Sequence, residues 1–185
     1  MLPEELEALP SVLGQAGWEL TGLLATHGDW DHVLCRTLWP DAPLGVAEST
    51  ADRLAAQPGD AARKLRNFDT EHYVQRPPLA LGHVQPLPVP GRLDVGDREL
   101  ELHPATGHTV DGMALVVPWA GVLVCGDYLS PCEDPMVEGD RDEYRATLER
   151  LRGLVAEVEW VVPGHGAPIR PDRALEVLDD HLGKL

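Results

Sequence analysis

Four side chains able to ligate a metal fall within the six residues His27-Gly28-Asp29-Trp30-Asp31-His32, directly after the apolar run of residues 20–25. Imidazole and carboxylate at alternate positions of a tight loop can converge on one or two divalent ions, and Gly28 removes steric bulk where the chain must turn. The run before the loop reads as a buried strand, and a polar segment at the end of an apolar strand is a usual place for chemistry. A polar loop with one capping Asp is the plainer reading of such a segment, but it calls for a single acid.

Three later segments repeat that local setting. Gly107-His108-Thr109, Cys125-Gly126-Asp127 and Gly164-His165-Gly166 each place one ligating side chain after an apolar run, with a glycine beside it. Taken singly each is as compatible with an ordinary polar turn as with a site. Their occurrence together, in order, points to one constellation of His27, Asp29, Asp31, His32, His108, Asp127 and His165.

The rest of the chain reads as a scaffold for these loops. Its 185 residues suffice for one buried core and predict a single domain over residues 1–185. Helices are predicted over residues 4–16, stopped by Gly17, and over 48–56, 61–67 and 172–182. The strongest lies over 140–158, where Tyr144, Leu148, Leu151 and Val155 recur at helical spacing. Short strands are predicted at 44–47 and 160–162, a hairpin at 113–125, and a strand-like, half-buried antiparallel edge over 83–105, in which Leu100 and Leu102 alternate with Glu99 and Glu101. The 18 Gly and 17 Pro imply many tight connections.

Composition narrows the functional classes. With 31 Asp and Glu against 15 Lys and Arg the formal charge is −16, a field that repels nucleic-acid backbones and anionic lipid. The start, MLPEELEALPSVLGQ, carries acids where a signal peptide needs a basic segment, and no apolar run approaches the ~20 residues of a membrane span. A cytoplasmic protein acting on a small molecule, without nucleic-acid or membrane partners, is expected. Cys35, Cys125 and Cys132 are odd in number and irregularly spaced, so three free thiols are expected, with Cys125 buried in a strand.

The ordered set His-x-Asp-x-Asp-His, Gly-His, Gly-Asp and Gly-His-Gly, running from Thr26 to Gly166, resembles the metallo-β-lactamase superfamily of metal hydrolases. The resemblance implies an α/β (α+β) fold of the αββα sandwich type and a site for two divalent metal ions. His27, Asp29 and His108 would serve the first ion, Asp31, His32 and His165 the second, and Asp127 would bridge both. It implies a hydrolase that uses a metal-bound hydroxide on a small ester, thioester, lactone or related substrate, with Asp31 and Asp127 as the catalytic carboxylates.

Two departures shape the alternatives. Asp29 stands where the family has its second histidine, and a harder, charged ligand moves preference from zinc, the first expectation, toward iron or manganese. Flavodiiron proteins also place a carboxylate there, which keeps a non-haem di-iron redox protein as an alternative, although such proteins use a flavin domain, for which no room is expected after Leu185. Second, the sequence opens at the helix that family members reach only after several strands and an Asp-Thr-Gly-like turn. A truncated fragment, a partner subunit that replaces those strands, or a metal-stabilised binding domain without catalysis are the readings this allows, and an edge left by absent strands would favour a homo-oligomer.

Some residues have two readings. Tyr128 either donates a hydrogen bond to a developing oxyanion or packs over the core with a solvated hydroxyl. Trp30 either lines a substrate pocket or covers the metal site. His72, His83, His103 and His181 lie outside the ligand motifs and read as surface or structural, His103 being the one best placed to support a ligand from behind.

Overall fold

The computed structural model describes residues 3–185. In chain order its elements are α1 Pro3–Gln15, β1 Leu23–Leu24, β2 Leu44–Ala47, α2 Glu48–Ala56, α3 Asp60–Glu71, β3 Val84–Leu87, β4 Gly91–Val95, β5 Arg98–Pro104, β6 Met113–Val117, β7 Val122–Val124, α4 Arg141–Val155, β8 Trp160–Val162 and α5 Pro171–Lys184. A parallel sheet holds β1, β2 and β3 in that order. A second sheet holds β4 to β8 in sequence order, antiparallel except for the parallel pair β7 and β8.

Strand alternation sorts side chains into three apolar layers. On β6, Met113 and Leu115 face the first sheet and, with Leu102 of β5, meet its Ala47 and Leu87, while Ala114 and Val116 face the opposite way. That outer face packs on Tyr144, Leu148, Leu151 and Val155 of α4 and on Ala174 and Leu178 of α5. The first sheet is covered in turn through Leu44 and Val46 of β2, which meet Leu6 of α1 and Ala61 and Leu65 of α3. Helix, sheet, sheet and helix layers result, as the αββα expectation requires.

The helix expected over 140–158 forms because Asp140 caps it, its carboxylate accepting from the amides of Asp142 at 2.9 Å and Glu143 at 3.0 Å. Two strand expectations are corrected. The strand read over residues 20–25 pairs only at Leu23 and Leu24: the amide of Leu23 donates to the carbonyl of Pro43 at 2.8 Å, but Pro43 has no N–H to carry the ladder back toward Thr21. Within the antiparallel edge read over 83–105, β4 does take the outer position of the second sheet, whereas β5, which carries the alternating residues 99–102, lies between β4 and β6.

Strand direction decides where chemistry can gather. Because β5, β7 and β8 run the same way while β4 and β6 run opposite, the segments that follow β5, β7 and β8 emerge at one end of the second sheet. The amide of Met113 donates to the carbonyl of Thr26 at 2.7 Å, which ties the end of β1 to the start of β6. The ligand-bearing segments after β1, β5, β7 and β8 are thereby brought to a common edge.

Leu148 is fully buried between α4 and the second sheet, so Leu148→Ala leaves a cavity with few ways to close. A loss of about 2–5 kcal/mol is expected from urea unfolding. Asp140→Ala, which removes only the cap, is expected to cost about 1 kcal/mol in the same assay.

Candidate metal centre

The histidine ring nitrogens of the site are divided between support and function. Thr26 Oγ1 lies 3.2 Å from His27 Nδ1 and 3.3 Å from His32 Nδ1, and a hydroxyl oxygen can accept from both. His108 Nδ1 is 2.8 Å from the carbonyl of Met136. With Nδ1 of each ring donating to these oxygens, the Nε2 lone pairs all point inward, the tautomer a metal-binding imidazole needs.

What they point at is Asp127. Its Oδ2 lies 3.2 Å from His108 Nε2 and 3.8 Å from His27 Nε2, while its Oδ1 lies 2.9 Å from His32 Nε2 and 3.5 Å from His165 Nε2. Asp29 joins the first group, with Oδ2 3.6 Å from His27 Nε2 and 3.8 Å from His108 Nε2. Asp31 joins the second, with Oδ2 3.4 Å from His32 Nε2 and 3.3 Å from His165 Nε2. All seven residues singled out in the sequence are thus brought together, in two sets that share one carboxylate.

The donors suit divalent cations. Nε2 of His27, His32 and His108 and Oδ1 of Asp127 are buried without a hydrogen-bond partner, a cost that a chain avoids unless something else satisfies them. Ligand atoms of the trios His27, Asp29, His108; His27, His32, Asp127; and Asp31, His32, His165 lie within 4.8 Å of one another in each trio. A mixed set of imidazole nitrogen and carboxylate oxygen fits zinc, iron or manganese.

Without an ion the groups lean on each other. Burial presses the Asp127 carboxyl upward, but His108 and His32 outweigh it and hold it far below the usual carboxylate range. Asp29 behaves alike, burial being overcome by His27 and Arg53. Burial lowers His27, whereas for His32 and His108 the neighbouring Asp127 carboxylate overcomes burial and raises them.

Two glycines let the backbone close on this centre. A Cβ on Gly164 would collide with Asp127 Oδ1 and stand 2.7 Å from His32 Cε1. Gly107, at φ 113°, lies against the backbone of Tyr144 at the start of α4, where no side chain fits.

Several expectations change with the structure. The Tyr128 hydroxyl is neither solvated nor free for an oxyanion: it donates to the carbonyl of Thr106 at 2.7 Å and accepts from the amide of His108 at 2.9 Å, fixing the backbone that carries His108. Trp30 is half-buried against Phe68, with ring centroids 4.8 Å apart, and so anchors the ligand loop to α3. His103 pairs with Glu101 at 3.5 Å along β5 and takes no part in the cluster. His181 is buried and hydrogen-bonded to the carbonyl of Glu133, a structural role. All three cysteines are free, and Cys125 is buried with its thiol pushed up by desolvation.

Sequence reasoning missed Arg53 and Asp111. Asp111, three residues after His108, accepts from the amide of Gly28 at 3.0 Å, and Arg53 bridges it to Asp29. Asp111 carried a weak signal, an acid beside a ligand motif; Arg53 carried none, since it lies on a separate helix.

Gly164→Ala is expected to fold, by circular dichroism, yet to bind divalent metal more weakly than wild type in equilibrium dialysis against zinc or manganese, because the added methyl displaces Asp127 and His32. Tyr128→Phe strands the buried amide of His108 and is expected to cost about 1–3 kcal/mol in urea unfolding.

Comparison with known proteins agrees with this architecture. Among curated proteins, the hydroxyacylglutathione hydrolase of Rhodobacter capsulatus is 30% identical over 166 residues, covering 89% of this chain and 55% of that protein. The protein of the same name from Jannaschia sp. (strain CCS1) is 27% identical over 147 residues, covering 79% of this chain and 48% of that one. The chain therefore spans about half the length of the curated relatives it matches. Among solved structures, TTHA1623 in a di-iron-bound form superposes with a TM-score of 0.67 at 21% identity, covering 92% of this chain and 82% of that one. The model of the metallo-beta-lactamase superfamily matches residues 2–165, the span that holds both sheets and all seven converging side chains, and the chain belongs to that superfamily.

Proposed function

We propose that this chain is a metal-dependent hydrolase of small esters, thioesters or lactones, with a thioester as the leading substrate class. The observation that carries the proposal is the position of Asp127, whose two oxygens face two separate sets of histidines. His27, Asp29 and His108 would hold one ion and Asp31, His32 and His165 another, with Asp127 shared. Divalent ions bound there supply Lewis acidity, which polarises a carbonyl oxygen and lowers the pKa of water.

The protein's own residues then divide the work. The side chains of His27 and His108 are each 4% exposed and held from behind, so they serve as fixed supports. Asp31 and His165, at 25% and 36%, form the open side, from which substrate would approach. Asp31 is therefore the carboxylate able to carry a proton to a leaving group, and Asp127, more enclosed, orients the attacking water. A thioester leaving group needs little proton assistance, which suits a site with no other exposed acid among its seven converging side chains.

The names of the curated relatives support the same class, since a hydroxyacylglutathione is a thioester. A second reading, a non-haem di-iron redox protein, is favoured by the carboxylate at position 29 and by the di-iron form of TTHA1623. No helix among the described residues is long and apolar enough to cross a membrane.

The test is hydrolysis of a panel of acylglutathione thioesters, aryl esters and lactones by protein reconstituted with zinc, manganese or iron. Thioester turnover that a chelator abolishes is expected, with Asp127→Asn and His108→Ala each reducing kcat/KM by about 100-fold or more. Inactivity of every metal-loaded form on the whole panel would overturn the hydrolase reading. For the second reading, protein made under iron-replete, anaerobic conditions that contains only zinc would remove its support.

A further inference from the structure

The Asp29 carboxylate has two unlike sides. Its Oδ2 faces His27 and His108, whereas its Oδ1 accepts from Arg53 Nη2 at 2.6 Å and lies 3.8 Å from Lys64 Nζ. The other arm of the guanidinium, Nη1, donates to Asp111 Oδ1, also at 2.6 Å. Asp111 is 1% exposed, and its remaining oxygen accepts from the amide of Gly28, inside the ligand loop. Arg53 on α2 and Lys64 on α3 are thus brought to the back of the loop, and the buried Asp111 fixes both the guanidinium and the backbone beside Asp29.

We propose that Arg53 is a positioning residue that holds Asp29 as a one-oxygen ligand and, with Lys64, offsets its charge, so that the clamped carboxylate takes the place of a neutral imidazole in the first ligand set. The inference rests on the metal-dependent reading of the centre, though not on hydrolysis. A carboxylate that chelates through both oxygens must free both, and here Oδ1 is engaged by a charge-assisted bond from a group that cannot lose its proton. An imidazole donor brings no charge; Asp29 brings one negative charge, and because Arg53 is shared with Asp111, it is Arg53 together with Lys64, 3.8 Å from Asp29, that offsets the two carboxylates. Only the planar fork of Arg reaches Asp29 and Asp111 together, so Lys is not an equivalent.

The metal preference follows. An unrestrained Asp29 would be a hard, anionic donor favouring manganese or iron over zinc. Tied to Arg53 it presents one oxygen in a fixed direction beside two imidazoles, a donor set suited to four-coordinate zinc. Arg53 thereby sets the selectivity of the first ligand set in zinc's favour, against the bare effect of exchanging His for Asp.

The experiment measures zinc and manganese affinities by competition with a chromophoric chelator at fixed pH. The proteins are wild type, Arg53→Lys, Arg53→Met and Asp29→His, together with the Asp29→His/Arg53→Met double variant. With Asp29 retained, both Arg53 variants are expected to lose about 10–100-fold in zinc affinity, with a smaller change for manganese, so that the zinc-to-manganese ratio narrows. In the Asp29→His background, Arg53→Met is expected to change zinc affinity by less than about threefold, since the imidazole needs no clamp.

Because Arg53→Met leaves Asp111 buried and unpaired, an Asp111→Asn/Arg53→Met variant is measured beside it, and the thermal unfolding of each metal-free protein is recorded. If this double variant folds as well as wild type and still shows the narrowed ratio, the clamp role stands. Equal zinc losses with Asp29 retained and in the Asp29→His background would make Arg53 a support of the fold alone and overturn the proposal, as would an unchanged metal ratio in every Arg53 variant. A wild type that binds neither metal would sink the metal reading and this inference together. Binding without turnover of any ester or thioester would leave the inference intact while removing the hydrolase reading.

Discussion

Three carboxylates, Asp29, Asp31 and Asp127, are held within reach of one another and of four imidazoles, in a chain that is already strongly acidic. Like charges so close destabilise a fold unless cations stand between them. In the metal-free protein the guanidinium of Arg53 and, at 3.8 Å, the ammonium of Lys64 face Asp29, and the Asp127 carboxylate raises the basicity of His32 and His108. The buried nitrogens left without partners mark where that compensation is incomplete. A divalent ion would complete it, so binding and folding are coupled through the same electrostatic balance.

The secondary structure serves that convergence at modest cost. Loops that carry the donors leave β1, β5, β7 and β8, and the antiparallel run through β4, β5 and β6 means that every second connection points away from the site. The wall behind the site is apolar and rigid: Tyr144, Leu148 and Leu151 fill the layer under β6 and β7, and Tyr128 carries that order into the His108 loop through its hydroxyl. A side chain of the core thereby fixes the direction of a side chain of the site, which is how packing becomes donor geometry.

Much of this was legible in the chain because its signals are local. Residues able to ligate a metal occur beside glycines at the ends of apolar runs, and Tyr144, Leu148, Leu151 and Val155 announce their helix by spacing alone. The truncation of β1 needed knowledge of its partner, since it is Pro43 on the opposite segment that removes the pairing. Arg53 was illegible for the same kind of reason: an arginine within Glu48–Ala56 reads as solvated, and only the packing of α2 against the first sheet turns it toward Asp29. The role of Tyr128 was hidden because its sequence neighbourhood says nothing of Thr106, which approaches from another loop. Patterns confined to one segment survive a reading of sequence; contacts between segments do not.

The two donor sets differ in how firmly they are held, and the difference bears on what each can do. His27 and His108 are buried, each with Nδ1 anchored, and Asp29 is gripped by Arg53. His165 has no comparable anchor: its Nδ1 lies 3.9 Å from Glu133 Oε1, a contact too long for a hydrogen bond, and the ring is 36% exposed. Fixed donors cost little reorganisation when an ion binds, so the first set is suited to retaining a metal and defining its identity. In the second set His32 is held by Thr26, whereas Asp31 and His165 face solvent and are the donors free to shift. Asp127, with one oxygen in each set, and Thr26, whose hydroxyl lies against both His27 and His32, couple the rigid side to the yielding one.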